Sequence, residues 1–147
     1  MSNRFIELNW LARSDKDILL PEVVFVDDMD MDCSGFCMYP RKEEILIDGR
    51  YYSRSRGVIV IKSDDPCIDS TLAHEWRHLW QVYHYGERED GYAMWGSESH
   101  LSYKQQIVNY FKSDVIEMDA LLFERKKASC EIIDEWYEWI IKEAIKR

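Results

Sequence analysis

Residues 58–80, VIVIKSDDPCIDSTLAHEWRHLW, contain the change of pattern that decides the fold. The apolar run at 57–62 has the length of a strand, and the polar segment after it ends at Pro66. From there apolar residues recur at the spacing of an amphipathic helix, so we predict a helix over 67–85. Asp65 is suited to cap this helix, and Pro66 is suited to be its first residue.

Short strand-like runs precede this stretch, and helical patterns follow it. Turn-forming residues such as Asp48 and Gly49 separate the runs, so we predict a meander of three antiparallel strands with a fourth strand before it. The predicted strands lie at 23–26, 35–39, 45–48 and 57–62, and the predicted helices at 3–13, 67–85, 100–111, 114–128 and 131–146. Strands followed by helices indicate an α+β fold, with an N-terminal helix, a small mainly antiparallel sheet of three to four strands, and then a helical part.

The composition is that of one folded domain, which we place over residues 1–147. Apolar residues make up 46% of the chain and aromatic residues 14%, which excludes low-complexity disorder. The 28 acidic and 19 basic residues give a formal net charge of −9, so we expect no nucleic-acid partner. The same acidic balance favours basic protein segments as ligands.

No part of the sequence has the character of a targeting or membrane-spanning segment. The longest apolar runs, at 23–26 and 58–61, have the length of strands, and residues 1–14 mix charged side chains with apolar ones. We therefore predict a cytoplasmic protein with no membrane partner.

The cysteines do not form paired Cys-x-x-Cys motifs. They are Cys33, Cys37, Cys67 and Cys130. We therefore expect reduced or buried thiols rather than a four-cysteine zinc site.

The chemistry is concentrated in the predicted helix over 67–85, which carries His74-Glu75-x-x-His78, the HExxH spacing. Two histidines four residues apart lie about 40° apart around a helix, so both imidazoles reach one metal ion. Glu75 lies about 100° from His74, beside the metal, where its carboxylate is free to take a proton from zinc-bound water. The motif thus predicts a Zn²⁺ site that uses His74 and His78, with Glu75 as the catalytic base and this helix as the active-site helix.

The opposite face of this helix is apolar. Its members at helical spacing are Leu72, Trp76, Leu79 and Tyr83. Such a face predicts packing against the sheet, which leaves the histidine face to line a cleft. The alternative interpretation is that the two histidines are ordinary surface or core residues.

A hydrolytic zinc site keeps three protein ligands and one open position, so a third ligand is needed. Glu117, on the predicted helix over 114–128, is the leading candidate. The expected apolar contacts of that helix are Val115, Met118, Leu122 and Phe123. The alternative ligands are Asp119, Glu124 and His100. A competing interpretation is that Asp114 and Glu117 form a capping box, in which the glutamate bonds back to the cap amide.

These two segments resemble the minigluzincin group of zinc metallopeptidases, and in particular the ImmA/IrrE-like proteins of bacteria, their phages and mobile elements. Proteins of that group combine a small sheet with a helix reading roughly Ala-His-Glu-x-x-His and a later helix reading roughly Glu-x-x-Ala-x-x-Phe. The matching residues are Ala73, His74, Glu75, His78, Glu117, Ala120 and Phe123. The resemblance implies that His74, His78 and Glu117 bind zinc and that Glu75 is the general base.

The chain also departs from that pattern. Gluzincins commonly carry an acidic or amide side chain four residues after the third ligand, where it orients the ligating groups, and this chain has Leu121 there. The residues that could substitute are Asp114, Asp119 and Asn109. The donor that would stabilise an oxyanion is open among Tyr85, Tyr103, Tyr110, His84 and His100.

We therefore predict a small zinc-dependent metallopeptidase that hydrolyses protein or peptide substrates with water activated by Glu75. The substrate would lie extended along an open sheet edge formed by 34–39 or 45–48. The alternative function is a catalytically silent zinc-binding or protein-interaction module on the same fold. The bulky pair Trp76 and Arg77 inside the motif, together with the missing acidic partner, motivates that alternative.

Overall fold

A computed structural model of the chain describes residues 20–27, 34–87, 102–128 and 130–146. The strands β1 to β5 are Glu22–Val26, Gly35–Met38, Glu44–Ile47, Arg50–Ser53 and Val58–Lys62. The helices α1 to α4 are Ile68–Tyr85, Tyr103–Ser113, Val115–Lys127 and Glu131–Ile145. This mixed α and β content agrees with the predicted fold class, and the predicted helix over 3–13 lies outside the described residues. None of these four helices combines the length and apolar character that crossing a membrane requires.

The strands form two small sheets rather than the predicted meander. In the three-stranded sheet β5 is central, with β1 parallel to it on one side and β2 antiparallel on the other. β3 and β4 form a separate antiparallel hairpin, whose turn places Asp48 and Gly49 at φ angles of 51° and 82°. The predicted pairing of consecutive strands is therefore wrong. Its physical reason is that all four residues from Val58 to Ile61 are at most 1% exposed, and only a central strand buries both of its faces.

Different elements cover the two faces of the three-stranded sheet. Between the sheet and α1 lies a buried cluster of Ile59, Ile61, Leu72, Trp76 and Leu79. On the opposite face lies a cluster of Val24, Val26, Val58 and Val60, against which the hairpin packs Ile45, Ile47 and Tyr52. The predicted apolar face of α1 is confirmed for three of its four residues, while Tyr83 is 54% exposed.

The start of α1 is held by a carboxylate that lies outside the helix. Cys67 is the N-cap residue, so Pro66 precedes the helix and is not its first residue. The Asp65 carboxylate accepts hydrogen bonds from the Cys67 amide at 2.9 Å and from Thr71 Oγ1 at 2.5 Å. Asp65 therefore stabilises the start of α1 without being its N-cap.

Strand β2 approaches α1 closely at Gly35. A Cβ atom at this position would lie 2.7 Å from Thr71 Cγ2 and 2.8 Å from the Val60 carbonyl oxygen. Real Cβ atoms do not approach backbone oxygens so closely, so only glycine fits here without a shift of the chain. This contact sets β2 against the first half of α1.

Helix α3 buries half of its predicted apolar contacts: Met118 and Phe123 pack against buried clusters, whereas Val115 and Leu122 are exposed. Val115 is 81% exposed and Leu122 is 48% exposed. The buried residues of α3 are Ala120, Leu121 and Glu124. Leu121 packs with Ile107 of α2 and Ile140 of α4. The helix is turned this way because the side opposite Val115 carries Glu117 and Glu124 towards α1.

Cys67 and Cys130 form a disulfide, with their Cα atoms 5.8 Å apart and a sequence separation of 63. The bond joins the N-cap of α1 to the N-cap of α4. The expectation of reduced thiols is therefore wrong for this pair. Cys37 is a free cysteine, and Cys33 lies outside the described residues.

Loss of the disulfide is expected to lower the free energy of unfolding by about 2–4 kcal/mol, because the bond closes a long loop and restricts the unfolded chain. The measurement is urea unfolding of the oxidised chain, the chemically reduced chain and a Cys67→Ala/Cys130→Ala variant. Identical unfolding midpoints in all three samples would contradict the prediction. Titration of free thiols before and after reduction is the control for the redox state.

Candidate metal centre

Three potential metal-binding side chains from α1 and α3 converge. His74 Nε2 lies 3.0 Å from Glu117 Oε2, and His78 Nε2 lies 3.1 Å from Glu117 Oε1. One ligand atom from each residue lies within 4.8 Å of the other two. Two ligand atoms at neighbouring corners of a tetrahedral site, each about 2.0 Å from the metal, are about 3.3 Å apart. The two nitrogen–oxygen distances of 3.0 and 3.1 Å are close to that value. The group could therefore hold a metal ion, and two imidazoles with one carboxylate are a donor set that suits zinc.

The Glu117 side chain can reach α1 because Asp114, rather than Glu117, caps the start of α3. The Asp114 carboxylate accepts hydrogen bonds from the amides of Ile116 at 3.1 Å and Glu117 at 3.3 Å. Asp114 is the N-cap residue of α3. The capping interpretation thus applies to Asp114, while the Glu117 side chain points to the two histidines.

The second ring nitrogen of His74 is held by a buried carboxylate. His74 Nδ1 lies 2.9 Å from Glu124 Oε1, and Glu124 is only 2% exposed. A carboxylate oxygen accepts hydrogen bonds, so His74 Nδ1 donates to Glu124 and His74 Nε2 donates to Glu117. A metal ion at this centre would take the place of the hydrogen on Nε2. Tyr137 of α4 lies near Glu124, and burial together with this carboxylate raises the pKa of Tyr137. Glu124 is therefore placed to orient a ligand, which is the role that the sequence analysis looked for at Leu121.

A chain of hydrogen bonds orients His78. Its Nδ1 lies 2.8 Å from Gln81 Oε1, and Gln81 Nε2 donates to Asp119 Oδ2 at 2.8 Å. The same Asp119 oxygen accepts a hydrogen bond from Arg77 Nε at 2.8 Å. Asp119 is thus committed to Arg77 and Gln81 and is not placed as the third ligand. Gln81 is a site residue that the sequence analysis missed.

Burial and carboxylates together set the charges of this group. Burial lowers the pKa of His74, but hydrogen bonds to Glu117 and Glu124 outweigh it and raise that pKa well above its usual value. The pKa of His78 is raised in the same way, since the hydrogen bond to Glu117 outweighs burial. Burial raises the pKa of Glu117, but its hydrogen bonds to the two histidines outweigh burial and hold that pKa well below its usual value. Carboxylates that favour a proton on these imidazoles also favour a divalent cation between them.

Glu75 lies beside the three converging residues and is not one of them. Burial raises its pKa, and the attraction of His74 and His78 opposes that rise. The Cys37 thiol of β2 lies next to the Glu75 carboxylate, and burial together with that carboxylate raises the pKa of Cys37, so the thiol stays protonated. Cys37 is a second residue that the sequence analysis missed. The alternation of side chains along β2 was the available signal, because it turns Cys37 towards α1.

The converging residues and Glu75 line one side of a cleft of about 640 Å³. Strand β2 forms another wall, and α2 contributes Tyr110. The Tyr110 hydroxyl donates a hydrogen bond to Glu117, and burial with nearby carboxylates raises the pKa of Tyr110. Among the predicted oxyanion donors, Tyr110 is brought into the cleft, whereas Tyr85 is 80% exposed and lies outside it. His84 is exposed and does not line the cleft, and His100 and the Tyr103 side chain lie outside the described residues.

The bulky residues inside the motif do not obstruct this cleft. Trp76 is 1% exposed and stacks on Phe123 with ring centroids 5.6 Å apart. The Arg77 guanidinium lies 3.7 Å from the centroid of the Trp80 ring. Neither Trp76 nor Arg77 is among the residues that line the cleft.

No protein-family model, curated protein or solved structure matches the chain. The interpretation of the centre therefore depends on its own residues. These are the two histidines and Glu117 that converge, Glu124 and Gln81 that orient them, and Glu75 at the cleft.

Glu117→Ala is expected to weaken metal binding by more than about 100-fold, because the two remaining imidazoles do not complete a metal site. Zinc per chain would be measured by elemental analysis after loading and desalting, with about one ion expected for the unmodified chain. Glu131→Ala, which changes an exposed glutamate of α4, is the control. Equal zinc content in the Glu117→Ala chain would contradict the assignment.

Glu124→Ala is expected to weaken zinc binding by about 10–100-fold, because it leaves His74 Nδ1 without its acceptor. Glu124→Gln retains an oxygen acceptor of nearly the same shape and should bind zinc more tightly than Glu124→Ala. The affinities would be measured by competition with a chelating dye, and circular dichroism would establish that both variants are folded. Unchanged affinity in a folded Glu124→Ala chain would remove Glu124 from the centre.

Proposed function

We propose that the chain is a small zinc-dependent metallopeptidase that hydrolyses peptide bonds in protein or peptide substrates, as its resemblance to ImmA/IrrE-like proteins implies. The supporting observation is the convergence of His74, His78 and Glu117 beside the Glu75 carboxylate in one cleft. These three residues would hold the zinc ion. When bound, zinc would polarise the scissile carbonyl and lower the pKa of a neighbouring water molecule.

Glu75 would carry out the proton transfers. Its carboxylate lines the cleft and is not needed as a ligand. It would accept a proton from the attacking water and deliver that proton to the leaving amine. Its burial supports this role, since a raised pKa makes the carboxylate a stronger base. The neighbouring Cys37 thiol would stay neutral beside it during these transfers.

Tyr110 would supply a hydrogen bond to the developing oxyanion. It lines the same cleft and already donates to Glu117. Its raised pKa keeps the hydroxyl protonated and therefore able to donate. Tyr110 is the predicted oxyanion donor that the described cleft best accommodates.

The substrate would extend along β2 by strand addition. Among the described strands, β2 pairs with β5 alone, so its second edge is open. The Lys62 amide donates to the Ser34 carbonyl at 2.9 Å, and hydrogen-bonded pairs alternate in an antiparallel ladder. The backbone groups of Gly35 and Cys37 therefore point to the open edge, where they would pair with a peptide.

The bulky pair inside the motif and the missing acidic partner were the two arguments for a catalytically silent module, and the folded chain weakens both. Trp76 and Arg77 lie outside the cleft, and Glu124 occupies the role that Leu121 cannot fill. The cytoplasmic location stays a prediction. The disulfide provides its test, because cytosolic reductants would keep Cys67 and Cys130 as thiols.

Glu75→Gln is expected to lower kcat/KM by about 10²–10⁴-fold or more and to leave zinc content unchanged, because the amide cannot accept the proton. Cleavage of a denatured protein mixture would be followed by mass spectrometry, with zinc measured on the same samples. Glu44→Gln, at an exposed position of the hairpin, is the control. Retained activity in Glu75→Gln would overturn the mechanism, while zinc binding without cleavage in the unmodified chain would favour the silent module.

A further inference from the structure

One end of the cleft carries a cluster of charged groups that the proposed mechanism does not use. Strand β2 and α1 run in the same direction, since Gly35 lies against Thr71 and Cys37 lies against Glu75. The segment after β2 and the end of α1 therefore meet at one end of the cleft. Arg41, Arg54 and Glu87 line it there.

The two guanidinium groups at this end are held in position by backbone oxygens. Arg54 donates to the Tyr39 carbonyl through Nε at 3.2 Å and through Nη2 at 2.7 Å. Its side chain is only 17% exposed. Arg41 donates through Nη1 to the Pro40 carbonyl at 2.9 Å. Arg54 also donates through Nη1 to Glu43 Oε1 at 2.8 Å, so its charge is paired within the chain, while Arg41 is the more exposed of the two guanidinium groups.

Glu87 places a second carboxylate at this end of the cleft, opposite Arg41. Arg41 Nη2 donates to Glu87 Oε1 at 2.5 Å, and both side chains are exposed, at 47% and 39%. The hydrogen bond from Arg41 lowers the pKa of Glu87, and attraction by Arg41 and Arg54 adds to that effect. An exposed ion pair is readily exchanged, so a second carboxylate can take the place of Glu87.

We propose that the Arg41 and Arg54 end of the cleft selects peptide substrates that present an acidic side chain, and that Glu87 is an internal carboxylate which such a substrate displaces. This inference rests on the proposed peptidase function and names its substrate class. It replaces the preference for basic segments that the net charge favours, because the charges at the cleft decide selection there.

The geometry also places the selected residue relative to the scissile bond. His78 lies seven residues before the end of α1 at Tyr85, which is about 10 Å along the helix axis. An extended peptide covers about 10 Å in three residues. The acidic side chain is therefore expected about two to four residues from the cleaved bond, on one side only.

The test is cleavage of a blocked peptide library in which single positions are fixed as Glu, Gln or Lys, with products read by mass spectrometry. We expect Glu at one position to be favoured over Gln by about tenfold. In Arg41→Gln this preference should be lost through a higher KM with kcat unchanged, whereas Glu87→Gln should lower KM for the Glu peptide. Arg50→Gln, at an exposed position of the hairpin, is the matched control.

Equal cleavage of Glu and Gln peptides, or a preference that persists in Arg41→Gln, would overturn the inference. A zinc-loaded chain that cleaves nothing would refute the proposed function instead. In that case, fluorescence anisotropy of matched Glu and Gln peptides with the zinc-loaded Glu75→Gln chain still tests carboxylate selection. Tighter binding of the Glu peptide that Arg41→Gln abolishes would support it, and equal binding would overturn it.

Discussion

The polar contact between α1 and α3 is the interaction on which the candidate centre depends. Buried charged side chains are tolerated only where partners satisfy them, and Glu124 at 2% exposure has His74 as such a partner. Glu117 and Glu124 are seven residues apart, so both face α1 at one rotation of α3 about its axis. That rotation brings Glu117 to both histidines. The same rotation of α3 therefore makes both the contact of Glu124 with His74 and the contacts of Glu117 with the two histidines.

The sheet supports this contact from the other side of α1. Ile59 and Ile61 of the central strand bury the apolar face of α1, which leaves the opposite face for the histidines. The close approach at Gly35 adds the open edge of β2 to the same helix. One helix thus takes part in the core, in the candidate metal centre and in the wall of the cleft.

Local patterns in the sequence predicted the four described helices within a few residues, because helical periodicity depends on near neighbours. The same patterns singled out His74, Glu75, His78 and Glu117 as candidate site residues. Strand pairing was not predictable in this way, since it depends on which strand takes the central position. Gln81 and Cys37 were missed, and Glu124 was considered only as an alternative ligand, because a polar side chain acquires its role from residues distant in the chain. Glu124 had a readable signal, since it shares a helix face with Glu117. The pairing of Cys67 with Cys130 had none in the spacing of the cysteines.

The disulfide has a consequence for how the centre assembles. Every side chain assigned to the ligand group and its orienting contacts, from His74 to Glu124, lies between Cys67 and Cys130, inside one covalent ring. An oxidised chain that unfolds keeps the histidine pair and Glu117 confined to a small volume, at a high effective concentration relative to one another. A metal ion bound first by the two histidines would then be close to Glu117 before the chain has folded. Oxidation of the chain would thereby speed metal capture during refolding, in addition to stabilising the folded state.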